Sequence, residues 1–234
     1  MSNSSFFNWQ AAVSAEPILK HSALVRAIHL TLQYCRDENG LELTQTGRLK
    51  RKYIDPLVRS FEWPYYNIED FYAVSKVMNA DDFPPLILVH ELLRHHKLAR
   101  HYKGRIKLTK TGNNFCNDTP ALFQMITPAY LFEIDHMAFS RMGERPLVNW
   151  QIWLNVLNDM ADRPARLDRL YSELYGPIDD MAPYQTQRDL YGFCNGVIEP
   201  LIWAGLLSEQ RAANEGIDTR LISKTPLWRL QKTF

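Results

Sequence analysis

Apolar residues recur at helical spacing in three stretches of the chain: Leu24–Cys35, Pro85–Leu93 and Val197–Ala204. Positions i, i+3, i+4 and i+7 carry the apolar side chains in each, which predicts three amphipathic helices. The pattern then changes. After the second stretch, Leu98–Tyr102 and Arg105–Leu108 alternate apolar and polar residues around Lys103-Gly104, the signature of a β-hairpin. After the third, Gly205 is expected to stop the helix and Leu206-Leu207 to open a strand. Glu209–Thr219 reads as a longer polar loop ahead of Arg220–Ile222. After the first, Asp37–Gly40 turns directly into Leu41–Leu43, an abbreviated version of the same arrangement.

A short motif ends each stretch. Leu43-Thr-Gln-Thr-Gly47 returns as Leu108-Thr-Lys-Thr-Gly112 and, degraded, as Ile222-Ser-Lys-Thr-Pro226. The second Thr of the motif is suited to cap a following helix by accepting a backbone N–H, and the Gly permits a tight bend. Helices are expected from Leu49 to Phe61 and from Thr119 onward. Helix, two-stranded wing and capped helix is the order of a winged-helix unit. Further helices are predicted over Ile68–Met78, Leu147–Ala161 and Arg166–Leu174, with proline-containing breaks at 126–128, 145–146 and 176–183. The expected fold class is mainly α with short β-hairpins (α+β), as tandem winged-helix-like modules packed together.

Charge divides the chain. Residues 1–126 carry +4 and residues 127–234 carry −3, within a total of +1. This predicts a basic N-terminal module with two helix–wing repeats and an acidic C-terminal module ending in a third. At 46% hydrophobic and 23% charged residues the composition is that of a folded protein, not a disordered one. Cys35, Cys116 and Cys194 are widely spaced, odd in number and outside any C-x-x-C, so neither a disulfide framework nor a zinc knuckle is indicated. With no signal-peptide pattern and no run near the ~18 apolar residues of a membrane helix, a cytoplasmic setting is expected.

The candidate chemistry is basic. No acidic residue occurs between Leu92 and Asn117, a span that holds Arg94, Lys97, Arg100, Lys103, Arg105, Lys107 and Lys110. A second cluster, Arg48, Lys50, Arg51 and Lys52, opens the helix after the first motif. Cations there oppose the helix dipole, and an anionic partner would account for them. The expected nucleic-acid contacts are therefore Arg48, Lys50, Arg51, Lys52, Arg100, Lys103, Arg105 and Lys107, with a solvated face as the plain alternative. His90, His95, His96 and His101 lack the i, i+4 spacing of a helical zinc pair. Glu133, Asp135 and His136 form a cluster with no second half. Asp81-Asp82 is expected to cap the next helix. Phosphate-loop, dinucleotide and nucleophile-elbow motifs are missing, and Cys116 lacks a triad, so no catalytic residue, metal or cofactor is expected. Trp63, Tyr65 and Tyr66 could stack on bases or anchor a core; Trp150, Trp153, Trp203 and Trp228 are expected in the core.

Pro84–Gly112, Leu43–Lys52 and Trp203–Trp228 together resemble an uncharacterised family of bacterial plasmid and phage proteins. The resemblance covers most of residues 24–234. It implies a repeated helix-and-wing fold and a mobile-element origin, and it brings no reaction and no catalytic residues. Pro226 departs from the pattern where the other copies have Gly. The functional expectation is a non-enzymatic DNA-binding regulator or accessory factor of a mobile element. Its alternative is a protein-binding factor, such as a phage or plasmid inhibitor of a host defence complex.

Overall fold

In the computed structural model of the protein, the described residues are 6–9, 16–66, 68–139, 146, 149–178, 182–211 and 216–231. They are mostly helical, with two small antiparallel sheets. The chain forms two units, an N-terminal one of residues 13–127 and a C-terminal one of residues 128–234 together with 1–12. Residues 6–9, assigned above to the N-terminal module, thus belong with the C-terminal unit. There Phe7 is buried and meets Trp228 edge-on at 5.1 Å.

The N-terminal unit runs α1 (Ala23–Asp37), β1 (Leu41–Glu42), α2 (Arg51–Phe61), α3 (Ile68–Val74), α4 (Pro84–His95), β2 (Ala99–Tyr102), β3 (Arg105–Leu108) and α5 (Lys110–Phe115). Ser22 starts α1 by accepting the Val25 N–H. Arg26 on α1 donates to the carbonyls of Phe61 (2.9 Å) and Glu62 (2.8 Å), closing the C-terminus of α2 with a cation where the dipole favours one. Leu24, Ile28 and Leu32, Ile54 and Leu57, Val89 and Leu93, and Leu41 and Ile106 fill the core. The strands order β1-β3-β2. Lys103 and Gly104, at φ +47° and +71°, make the two-residue turn that matches strand twist. The helix α6 (Thr119–Glu133) contains the division between the units and continues through Pro128, so the expected break at 126–128 does not occur.

The C-terminal unit repeats the order with α7 (Trp150–Met160), β4 (Ala165–Arg166), α8 (Leu167–Tyr175), α9 (Pro183–Phe193), a π turn (Cys194–Ile198), α10 (Glu199–Trp203), β5 (Leu207–Gln210), β6 (Leu221–Lys224) and α11 (Pro226–Gln231). Strand order β4-β6-β5 matches the first sheet. The registers match as well. Ala99↔Leu108 through Tyr102↔Arg105 in one hairpin correspond to Leu207↔Lys224 through Gln210↔Leu221 in the other. Leu41↔Ile106 likewise corresponds to Ala165↔Ile222.

These pairings correct the reading of three like segments. The first motif closes only a short turn, bridged antiparallel at Leu43↔Leu49, and β1 is the third strand on β3. Thr44 and Gly47 close a tight turn, with the Thr44 hydroxyl accepting the Arg48 N–H and Gly47 at φ +80°. In the second motif the cap is the first Thr, not the second. Thr109 Oγ1 accepts the Gly112 N–H, and Gly112 lies inside α5, where an added Cβ would collide with the Leu98 carbonyl oxygen. The third motif is shifted by two residues. Thr225, the second Thr-position of that motif, caps α11 as expected, accepting from Leu227 and Trp228, but it follows the strand directly and so corresponds to Thr109 and not to Thr111. Pro226 is then the first residue of that helix, where a missing N–H costs nothing.

Smaller corrections concern ends. Glu209 and Gln210 belong to β5 and not to a loop. Ile68–Val74 is helical, whereas the expected helix ran on to Met78. Asp82 caps the short 3₁₀ turn Ala80–Asp82 by accepting the Asn79 N–H at 2.8 Å, while the N-cap of α4, Phe83, makes no side-chain bond. Leu147, expected at the start of a helix, lies outside the described residues; α7 starts at Trp150 under an Asn149 cap.

Candidate functional site

Side chains alternate across a strand, so register decides which of the expected contacts share a face. Arg100 pairs with Lys107 and Tyr102 with Arg105, all four on the side of the sheet opposite Ile106 and Leu41. Glu42, opposite Arg105, joins them. Lys50 and Lys52 reach that strand from the N-terminus of α2, each donating to a Glu42 carboxylate oxygen at 2.6 Å. Their hydrogen bonds hold the Glu42 carboxyl down at about 2. Lys103 sits at the hairpin tip. Of the eight expected contacts, six therefore gather around one outward sheet face.

They are not equally available. Arg105 donates to the Gly40 carbonyl at 2.6 and 3.1 Å, and Lys107 donates to Asn39 Oδ1 at 2.8 Å. Both fasten the α1–β1 turn, where Gly40 sits at φ +96° and an added Cβ would meet Ile106 O at 2.8 Å. Arg100 and Lys103 flank the Tyr102 ring, each 5.4 Å from its centre, and among the described residues neither has a carboxylate partner. Arg48 and Arg51 lie off this face. Arg48 pairs with Asp81 at 3.0 Å and Arg51 donates to Asn79 Oδ1 at 3.0 Å. With Lys50 and Lys52 they line a cleft of about 610 Å³ at the uncapped start of α2.

A second cleft, about 650 Å³, opens between the C-terminal end of α4 and β2, which is the edge strand of its sheet. Arg94, Lys97, Arg100, His101 and Glu91 line it. His101 stacks on His90 with ring centres 5.1 Å apart, and their Nε2 atoms share a hydrogen bond of 2.9 Å. Burial, then the His101 ring, push His90 down to about 4. Partial burial, then Arg94, lower His101. Sequence spacing missed this pair because His101 sits on a strand and His90 on a helix.

The C-terminal unit places other chemistry on the same frame. Ser208, Gln210, Leu221, Ser223 and Arg166 occupy its outward face. Arg166 is engaged by Asp168 (2.6 Å) and Asp218 (3.3 Å). Glu209, on the inward side, has a fully buried side chain paired with Arg211 (2.9 Å) and Arg220 (3.3 Å). Burial raises the nearby Glu199 carboxyl and pushes the Cys194 thiol up to about 12. The Glu209–Ile222 register pair is the signal for this cluster, and it is invisible until the strand is known to include residue 209.

Other sequence candidates resolve into packing. His136 is a mostly buried imidazole held at about 4 by burial, its Nε2 3.3 Å from the Leu131 carbonyl, and Asp135 accepts the Met137 N–H. Burial raises the Cys116 thiol. Trp63, Trp150, Trp153 and Trp228 are buried and Trp203 half-buried, while Tyr65 and Tyr66 are exposed. Among the described residues no group of three or more His, Cys, Asp or Glu could hold a metal ion, and no helix is long and apolar enough to cross a membrane.

Comparison with known proteins follows the two units. The Y4jL N-terminal domain family matches residues 20–121, and the y4jL C-terminal domain family matches residues 140–226. The uncharacterized protein y4jL of Sinorhizobium fredii (strain NBRC 101917 / NGR234) is 34% identical over 155 residues, 66% of this chain and 70% of that protein. No solved structure matches the chain. A relative of that identity and coverage, with both of the family's domains matched in order, makes the chain a member of the y4jL family.

Proposed function

We propose that the chain is a non-enzymatic DNA-binding protein, a regulator or accessory factor of a mobile element, acting in the cytoplasm through the outward face of the β1-β3-β2 sheet. Each unit then reads as a winged-helix-like module, in the order helix, strand, three helices, hairpin. The observation that carries this reading is the register that sets Arg100, Arg105 and Lys107 on one face with Lys103 at its tip. Cations so arranged displace the counterions condensed on a phosphate backbone. Helix α4, in the place of a recognition helix, has Pro85, Leu86, Leu88, Val89, Leu92 and Leu93 buried, leaving little beyond Glu91, Arg94 and His95 to reach a groove. The interface accordingly holds phosphates and reads few base edges.

The test is fluorescence anisotropy with a labelled duplex of about 20 base pairs. Four phosphate contacts should weaken binding roughly 100-fold between 50 and 200 mM salt. Arg100→Glu with Lys103→Glu should remove most of the affinity for every sequence tried. No binding at 50 mM salt overturns the reading.

A second reading, a protein-docking factor such as an inhibitor of a host defence complex, draws on α3. That helix has no buried residue, and Tyr65, Tyr66, Val74 and Val77 are exposed around it. The segment joining α8 to α9 contains no helix among its described residues. A partner that stays bound at high salt and is lost on Val74→Asp would favour this reading over the first.

A further inference from the structure

The cleft between α4 and β2 combines features that the sheet face alone does not require. Arg94, Lys97 and Arg100 bring three cations to its walls, against the single carboxylate of Glu91, which lies 3.4 Å from Arg94. Among the described residues Lys97 and Arg100 have no acidic partner. Lys97 is held at φ +54°, and its carbonyl accepts the Thr109 hydroxyl at 2.7 Å, so the backbone that carries this cation is fixed. Ala99 and His101 contribute the free edge of β2. His101 is exposed and closes one side of the cleft while its ring leans on the buried His90. Arg100 belongs both to this cleft and to the outward sheet face, so the two surfaces are continuous around the edge strand.

We infer that this cleft is a phosphate-ester site for the DNA strand that crosses the sheet edge, and that His101 joins it as a cation when the His90–His101 bond opens. The inference rests on the DNA-binding reading for its ligand. The bond at 2.9 Å between two ring nitrogens needs one donor and one acceptor, so the pair as it stands holds a single proton between them. A further proton taken up at the free Nδ1 of the donor ring leaves the bond intact, so it opens only when one ring turns its Nε2 away from the other. His101, on the solvent side, is the ring able to turn away, and an imidazolium there donates to a phosphate oxygen already drawn in by Lys97 and Arg100. The charged groups facing the pair are Glu91 and Arg94 on α4 and Arg48 on the turn after β1. The phosphate offsets the partial burial and the repulsion of Arg94 that together lower His101.

The experiment uses the full chain and two probes. First, the His101 ring is titrated by NMR between pH 5 and 7.5, with and without inorganic pyrophosphate. Its midpoint should rise by about one unit when the probe is bound, a tenfold preference for the protonated form. Lys97→Asn, which keeps a residue tolerant of positive φ, should remove the rise. Second, duplex DNA affinity should increase about fivefold from pH 7.5 to 6.0 in the wild type and not in His101→Gln or Lys97→Asn. An unmoved His101 midpoint, or an equal pH dependence in wild type and variants, overturns the inference while salt-sensitive DNA binding still stands. A moved midpoint in a protein that binds no DNA leaves the phosphate site in place and removes the DNA reading.

Discussion

The two three-stranded sheets share strand order and register, and all five outward side chains differ. Arg100, Tyr102, Arg105, Lys107 and Glu42 in one stand where Ser208, Gln210, Leu221, Ser223 and Arg166 stand in the other. The inward positions diverge as sharply. His101 corresponds to Glu209, and His90, at the same separation along the chain, to Ile198. One frame therefore tolerates a basic face or a near-neutral one, and an imidazole pair with one buried ring or a buried ion cluster. The positive face of the N-terminal sheet is a property of its sequence and not a demand of the fold, which is why it is worth treating as a site.

The comparison is tested most severely at the helix after each hairpin. Gly112 and Trp228 occupy matching positions, three residues past the capping Thr109 and Thr225. Trp228 is fully buried against Phe7, so Trp228→Ala should cost about 4 kcal/mol of unfolding free energy by loss of packing. Gly112→Ala should cost about 3 kcal/mol for the opposite reason, since the new Cβ must displace the Leu98 backbone carbonyl. Urea unfolding followed by hydrogen exchange would place each loss in its own unit. A near-neutral Gly112→Ala would mean that the two helices are not seated alike.

Next in size is the response to acid. His90 titrates at about 4 in the folded protein, below the ordinary imidazole value of 6.5. A lowered folded value means that the unfolded chain takes up the proton first as pH falls. Stability is therefore full above pH 6.5 and is lost progressively down to pH 4, by up to about 3 kcal/mol for this one group. His90→Ile, which installs the residue of the other unit, should leave stability at pH 7 within about 1 kcal/mol and make the N-terminal unit the more acid-resistant of the two variants below pH 5. The C-terminal unit retains its own loss from His136, also about 4, opposed by Glu199, whose raised carboxyl favours the folded state at low pH. Equal acid sensitivity of wild type and His90→Ile would show that the His90 ring is not buried as described.

How much of this was legible in the chain follows from range. The helices from Leu24, Pro85 and Val197 and the Lys103-Gly104 hairpin rest on local periodicity and turn chemistry, and the structure has them. Long-range pairing was not legible. Nothing near Leu41 announces that its partner is Ile106, so an abbreviated motif read as a third unit. The shift of the third motif came from matching Ser-Lys-Thr by letters, whereas the cap forms where the strand ends. Lys224 consequently lies inside, donating to the Asn158 carbonyl at 2.6 Å and pairing with Asp162. The eight candidate cations were found by composition alone. That Lys50 and Lys52 reach the sheet face through Glu42, while Arg48 and Arg51 turn to Asp81 and Asn79, required the register and the positions of those partners.

The smallest effects are the most discriminating, because they ask which threonine does the work in each motif. Thr225 is buried, donates to the Gly205 carbonyl at 2.6 Å and accepts at the start of α11, so Thr225→Ala should cost about 2 kcal/mol. Thr109 makes the matching bonds to the Lys97 and Leu98 carbonyls and to the Gly112 N–H from a more open site, and Thr109→Ala should cost about 1 kcal/mol. Thr44 accepts only within a surface turn, and Thr44→Ala should fall within about 0.5 kcal/mol of wild type, as should Thr111→Ala, whose side chain is exposed on α5. Denaturant midpoints of the four variants, compared at constant slope, give the order directly. If Thr111→Ala proved costlier than Thr109→Ala, the cap would belong to the second Thr of the motif, and the correspondence of Thr109 with Thr225, on which the matching of the two hairpins depends, would fail with it.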